Sequence, residues 1–318
     1  MTQKPENLAP RRYFLKHRTS YSYPEAVTQS YERGFLSPRQ THNQQVVASA
    51  FKIVPEPLLH TAHVDRFGNR SHFIEIHYPH STLEVIKEAV VDVAWQPVNL
   101  EALNQWTLAS ARRAIAGAHM HRLDRARFGL PSRLVDPPAE LADYVEGILS
   151  DTLGFGQALW ELTRGIHRDF EYRPGATSIR TTVAELLAIR AGVCQDFAHL
   201  GVAVLRSLGI PARYVSGYLE TRPAPGQEKL EGSDASHAWL SAMAPDGSWI
   251  DLDPTNDQFA DSRYIVTAWG RDFSDVSPLR GVVVTEAETS TLDVGVDVIA
   301  MTGDQLPQFS VTKLNLSS

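Results

Sequence analysis

Cys194 is the only cysteine in a chain of 318 residues, and it has twelve histidines available as partners. One thiol cannot close an internal disulfide or supply a thiolate cluster for zinc or iron-sulfur chemistry. It is therefore either a reactive nucleophile or buried filler. A thiol attacks only as the thiolate, and its free pKa of about 8.5 falls to roughly 3.5–7.5 beside a helix N-terminus or an imidazolium. Among the histidines, His237 stands between Ser236 and Ala238, small neighbours that leave the ring accessible. An aspartate from Trp249-Ile250-Asp251-Leu252-Asp253 can accept the imidazole N–H and set its tautomer, and both Asp253 and Asp251 are candidates. Together, a thiol, an imidazole and a carboxylate are the parts of a covalent acyl transfer. Taken singly, the thiol reads as packing and the histidine as a satisfied strand residue.

Positioning these groups requires particular elements. Thr182-Val183-Ala184-Glu185 is a capping-box pattern that starts a short helix through Glu185-Leu186-Leu187-Ala188-Ile189-Arg190, ending near Gly192. A second helix is expected from Cys194 to Leu208, stopped by Gly209 and Pro211, with Phe197, Val204, Leu205 and Leu208 for burial. This sets Cys194 at a helix N-terminus, where the dipole favours a thiolate and the Cys194 amide can donate to a developing oxyanion. Strands are expected at 212–219, from His237 to Ala244 and over Trp249–Asp253, with Pro245-Asp246-Gly247-Ser248 as the turn. His237 lies eight residues before Pro245 and Asp253 five after Ser248, so antiparallel pairing brings them near each other with some slip in register. Ahead of all this, Phe155, Leu159, Leu162, Ile166 and Phe170 form one apolar stripe, a core helix that needs no cofactor to explain it.

The region up to residue 95 reads as an antiparallel β-sandwich, with strands at 12–23, 45–54, 71–78 and 82–93 and a turn at Asp65-Arg66-Phe67-Gly68-Asn69. A linking stretch with helical character follows, and its Arg-rich part from Arg112 to Arg133 reads as a solvated helix face. The expected organisation is a β-sandwich domain over 1–95, a core with its helical link over 96–278 and a β-rich extension over 279–318. Thirty Lys plus Arg against 37 Asp plus Glu give a net charge of −7, which makes nucleic acid an unlikely partner. No apolar run matches a signal peptide or a membrane span, so a cytoplasmic location with no membrane partner is expected. His72, His77 and His80 invite a metal reading, but strand alternation turns His77 away from the other two. No metal and no cofactor is expected.

Four segments then carry a resemblance: Arg190-Ala191-Gly192-Val193-Cys194-Gln195-Asp196-Phe197-Ala198-His199-Leu200, Gly209-Ile210-Pro211-Ala212-Arg213-Tyr214-Val215-Ser216-Gly217-Tyr218, His237-Ala238-Trp239 and Asp253-Pro254-Thr255-Asn256. In this order they resemble the bacterial transglutaminase-like cysteine enzymes, whose core is preceded by a β domain like the N-terminal region here. The resemblance implies an α+β fold: an N-terminal antiparallel β-sandwich, then a papain-like core of helices packed on an antiparallel sheet. It implies that Asp253, at the head of the Asp-Pro-Thr motif, is the third member of the set and Asp251 a structural neighbour. It also nominates Tyr172 as an aromatic lining the oxyanion site, although a tyrosine there also suits packing. Gln195 and Asp196 are read as stabilising the helix start, and Trp239 as a wall of the cleft. The expected function is acyl transfer on amide bonds through a thioester, as a peptidase or amidase or a protein transglutaminase, with a peptide or protein as substrate. The other class is a non-catalytic papain-like binding module.

Overall fold

Alternation between buried and outward side chains builds the first part of the chain. The computed structural model describes residues 3–118, 122–221, 234 and 236–301. After a short helix α1 (Pro5–Leu8) come β1 (Arg11–Val27), β2 (Gln29–Gly34), β3 (Gln44–Val54), β4 (Leu59–Val64), β5 (Arg70–Ile76) and β6 (His80–Val93). In β1, Tyr13, Leu15, His17 and Thr19 are buried while the residues between them face outward, the period-two pattern of a half-covered strand. The sequence pattern missed β2 and β4. All of β4 is exposed, and β2 is a short polar segment that buries Glu32. Gly68, with φ at +78°, turns β4 into β5, and Asp65 Oδ1 accepts the N–H groups of Phe67 and Asn69 across that turn.

Helices α2 (Leu100–Leu103), α3 (Leu108–Gly117), α4 (Arg122–Phe128), α5 (Leu141–Ile148) and α6 (Phe155–Asp169) follow. The predicted stripe on α6 is buried, with Phe155, Leu159, Leu162 and Ile166 each no more than 1% exposed. The Arg-rich piece lies on α3 and α4, except that residues 119–121 fall outside the described ones. There Arg112 meets Asp151, and Arg125 donates to the carbonyls of Ile115 and Ala118 at the end of α3.

The chain continues through β7 (Glu171–Tyr172), α7 (Val183–Ile189), β8 (Ala191–Gly192), α8 (Cys194–Ser207), β9 (Ala212–Leu219), β10 (Ser236–Met243), β11 (Trp249–Asp253), β12 (Gln258–Phe259) and β13 (Tyr264–Gly270). It ends with α9 (Phe273–Val276), β14 (Leu279–Val284) and β15 (Thr291–Met301). The capping box of α7 forms, since Glu185 accepts the Thr182 N–H and the Thr182 hydroxyl accepts the Glu185 N–H.

The sheets have strand orders β15-β1-β6-β3, β14-β2-β5-β4 and β12-β11-β10-β9-β13, with β7 and β8 forming a small parallel pair. One face of the first sheet covers both of the others. Leu83 and Val85 of β6 pack on Ile74 and Ile76 of the second sheet. Farther along the same strand, Ala89, Val91 and Val93 pack with Val215, Trp239 and Tyr264 of the five-stranded sheet. The opposite face of that sheet takes the helices, with Leu240, Ala242 and Leu252 against Phe197, Leu200 and Val204 of α8 and the α6 stripe. Strands β14 and β15 return to pair with β2 and β1. Residues 302–318 of the expected C-terminal extension lie outside the described residues.

Candidate active site

Cys194 is the first residue of α8, preceded by Val193 in an extended conformation. Valine has no side-chain acceptor for a capping box, so the helix start is held by Asp196, whose Oδ2 accepts the Val193 N–H at 2.8 Å and the Thr177 hydroxyl at 2.6 Å. Burial raises the pKa of Asp196 against the pull of these two donors. Gly192 makes room for this carboxylate, because a Cβ there would sit 2.7 Å from Asp196 Oδ2. At the other end of α8, Arg206 donates to the carbonyls of Phe128, Ala212 and Arg271. Cys194 is partly buried and packs against a cluster that includes Phe35, Ala198, Tyr214 and Ala238.

His237 lies on β10, the central strand of the five-stranded sheet. Its Nε2 is 2.7 Å from Asp253 Oδ2, and the Cys194 side chain lies near enough to the ring to help raise its pKa. With Nε2 taken by the carboxylate, Nδ1 is the ring nitrogen left for another partner. The strand opposite His237 carries Gly217, where a Cβ would lie 2.0 Å from the Ile265 carbonyl and 2.7 Å from the Trp239 ring. A bare backbone here lets β13 and Trp239 close around the histidine. Burial alone would lower the His237 pKa, but the charge and hydrogen bond of Asp253, and then Cys194, outweigh it and push the value up to about 10.

Asp253 is fully buried at the end of β11. The β10–β11 register pairs Leu240 with Leu252 and Ser241 with Asp251, so its continuation sets Asp253 opposite Trp239 and diagonal to His237. This is the register slip that the residue count allows. Asp253 Oδ2 also accepts from Asn256 Nδ2 at 2.7 Å and from the Tyr264 hydroxyl at 2.6 Å, while Oδ1 accepts the Thr255 N–H at 2.9 Å. Burial raises its pKa, yet the opposing pull of His237, Asn256 and Tyr264 holds it below the ordinary carboxylate value. Asp251, the sequence rival, bonds the Trp239 indole N–H at 2.8 Å and the Ser241 hydroxyl at 3.1 Å instead. It therefore anchors Trp239, whose ring stacks beside His237 at 6.1 Å.

Tyr172 is 54% exposed on β7, aligned with Gly192 of β8 in the small parallel pair. Its ring meets the Phe197 edge, and burial followed by the charge of Cys194 raises its pKa, which puts it beside the thiol. Sequence reasoning did not single out Tyr264 or assign a role to Asn256. Asn256 was legible as part of the Asp-Pro-Thr-Asn run, whereas nothing local marks Tyr264, which reaches Asp253 only through the pairing of β13 on β9. The histidines considered for a metal each have another partner: His72 bonds Ser37 and His60, His80 bonds Ser30 and the Tyr78 carbonyl, and His77 pairs with Glu75.

A thiol at a helix tip, facing a histidine-aspartate pair on an antiparallel sheet, is the arrangement of the papain-like class of cysteine enzymes. Residues 140–254 match the family model described as transglutaminase-like superfamily, and residues 13–92 match the bacterial transglutaminase-like N-terminal region. Uncharacterized proteins of Mycobacterium bovis and Mycobacterium tuberculosis are 41% identical over 313 residues, spanning 93% of this chain and 95% of each relative. The chain belongs to the bacterial transglutaminase-like family. A protein-glutamine gamma-glutamyltransferase of Pseudomonas aeruginosa is 38% identical over 98 residues, which is 30% of this chain and 14% of that protein. The crystal structure of a candidate cysteine protease from Cytophaga hutchinsonii shares the fold with a TM-score of 0.74 at 19% identity, covering 97% of this chain and 95% of that one. No helix among the described residues is long and apolar enough to cross a membrane.

Proposed function

We propose that the chain is a cysteine acyl-transfer enzyme acting on amide bonds of a peptide or protein, with Cys194 as nucleophile, His237 as proton carrier and Asp253 as the group that orients and charges the imidazole. The observation that carries this reading is the position of His237, with one nitrogen 2.7 Å from the buried Asp253 carboxylate and Cys194 near enough to help raise the imidazole pKa. An imidazolium beside a thiol favours the thiolate. The sulfur would attack the carbonyl carbon, and the amide π pair would move onto oxygen. The Cys194 backbone N–H is the oxyanion donor we assign, with Tyr172 as the neighbouring aromatic. Collapse breaks the carbon–nitrogen bond, His237 gives its proton to the departing amine, and an acyl thioester remains. A second nucleophile then loses its proton to His237, attacks the thioester and returns the thiolate.

Water as that nucleophile gives hydrolysis, and a bound amine gives transamidation. We put hydrolysis first, because the partial exposure of Cys194 leaves water a route to the thioester. The Pseudomonas relative is named for glutamyl transfer, which keeps transamidation as the second outcome. A cytoplasmic placement suits the reading, since a reducing compartment keeps a lone thiol available.

Iodoacetamide labelling at mildly acidic pH tests the thiol. Fast alkylation that slows in His237→Ala is expected, and equally slow labelling in both proteins would mean a packed, inert cysteine. A glutamine-containing peptide library with a labelled amine then separates the outcomes as chain cleavage, ammonia release or amine incorporation.

A further inference from the structure

Lys87 lies on β6 opposite Phe51 of β3 and His17 of β1, and it is only 2% exposed. It falls where the first sheet passes from covering the second sheet to covering the five-stranded one, between Val85 and Ala89. Its ammonium donates to Ser49 Oγ and stands 5.3 Å from the Phe51 ring centre. Burial lowers its pKa to about 7, Arg70 adds to that pull, and no carboxylate among the described residues acts against it. Taking an ammonium out of water without a counter-charge is unfavourable, so a second, negative component would relieve the arrangement.

Lys87 lines a cavity of about 760 Å³ between β3 and β4, the edge strands on one side of the sandwich. Arg70, His60, His72 and Ser37 share the wall, and none of the described residues lining it is an aspartate or glutamate. His72 bonds Ser37 through Nε2 at 2.7 Å and His60 through Nδ1 at 3.0 Å, a chain of neutral donors and acceptors along the wall. Burial, then Lys87 and the neighbouring His60, Arg70 and His63, hold the His72 pKa down to about 3. The rest of the lining is largely apolar, including Phe51 and Val64. Cys194, His237 and Asp253 are not part of it.

We propose that this cavity binds a small organic anion, its carboxylate or phosphate head between Lys87 and Arg70 and its apolar body along Phe51 and Val64. The head supplies the missing counter-charge, and Ser37, Ser49 and His60 complete its hydrogen bonds. The size and mixed lining are those of a small-molecule site.

Isothermal titration of the full chain with hexanoate and with hexyl phosphate tests this, with inorganic phosphate and hexanol as head-only and tail-only controls. Binding of at least one amphiphilic anion is expected, weakened at least about tenfold in Lys87→Met and by a smaller factor in Arg70→Gln. The better of the two heads identifies the ligand class. Arg70 is exposed, so its variant keeps the test usable if Lys87→Met fails to fold. In protein carrying ¹³C-dimethylated lysines, the Lys87 resonance should titrate at higher pH when the anion is bound, because a counter-charge favours the ammonium over the pull of Arg70. No binding by either anion, hexanol binding as tightly as both, or affinity unchanged in both variants would overturn the proposal.

Discussion

Burial works against a charged His237, but a buried carboxylate facing one nitrogen, with Cys194 nearby, raises its pKa. Asp253 can do this while fully buried because it accepts from Asn256, Tyr264 and two backbone N–H groups as well. On the proposed mechanism, replacing Asp253 by Asn should leave the packing intact but lower amide turnover by about 10²–10⁴, as loss of the orienting carboxylate does in known triads. Tyr264→Phe removes one donor to Asp253, so the carboxylate becomes more basic and rotates more freely. A fall in turnover of roughly tenfold is expected there, with thermal stability changed by only about 1 kcal/mol. The pH dependence follows from the raised His237 value. Its folded pKa of about 10 lies above the unfolded 6.5, so the proton stabilises the fold fully below pH 6.5 and that stabilisation is lost as pH rises through about 10. Urea unfolding across this range should show wild type losing stability toward alkaline pH more steeply than His237→Ala. Parallel curves would contradict the assigned pair.

At the scale of elements, the position of Cys194 depends on the first turn of α8 and on the close approach of β9, β10 and β13. Asp196 closes the helix start in place of the missing cap on Val193 and ties down Thr177 at the same time. Asp196→Ala should cost about 1–3 kcal/mol, read by chemical denaturation, and should loosen the Thr177 segment to proteolysis. Gly217→Ala is expected to be worse, since its Cβ would meet the Ile265 carbonyl, a backbone atom that cannot rotate aside. The strain there separates β13 from β9, and with it Tyr264 from Asp253. A loss of stability of about 3 kcal/mol or more is expected, accompanied by slower Cys194 alkylation.

Across the whole molecule, the five-stranded sheet carrying His237 and Asp253 is covered on one face by helices and on the other by the sheet containing β1, β6 and β15. The last described strand contributes directly to that cover through Val296 and Val298, which are 0% and 1% exposed. It also binds Asp234, whose N–H donates to the Val296 carbonyl and whose Oδ2 accepts the Val298 N–H at 2.7 Å. Ending the chain at residue 289 removes both valines and this bridge. A loss of about 3–6 kcal/mol is expected from burial alone at about 1.5–3 kcal/mol per valine, together with slower labelling of Cys194 although the cut is remote from it in sequence. Thermal melts and alkylation rates on the same preparation check both effects.

Local order determines what the sequence reveals by itself. The α6 stripe, the Thr182–Glu185 capping box, the stop at Gly209 and Pro211, and the Pro245–Ser248 turn depend on residues within a few positions of one another, so their elements were readable with Cys194 at a helix tip and His237 on a strand. The pairing of His237 with an aspartate was half legible. The hairpin brought two carboxylates near, but choosing between them depends on strand register and on which side chain faces the Trp239 indole. Tertiary structure alone decided the rest. Tyr264 reaches Asp253 across a sheet order that no local pattern encodes, and β14 and β15 return to the N-terminal sheets across more than 240 residues. Lys87, an ordinary surface type by composition, is buried because the strand face bearing it packs across the junction of two other sheets. Pairings of that range are set by the packing of whole faces against one another, and no short window of sequence contains both partners.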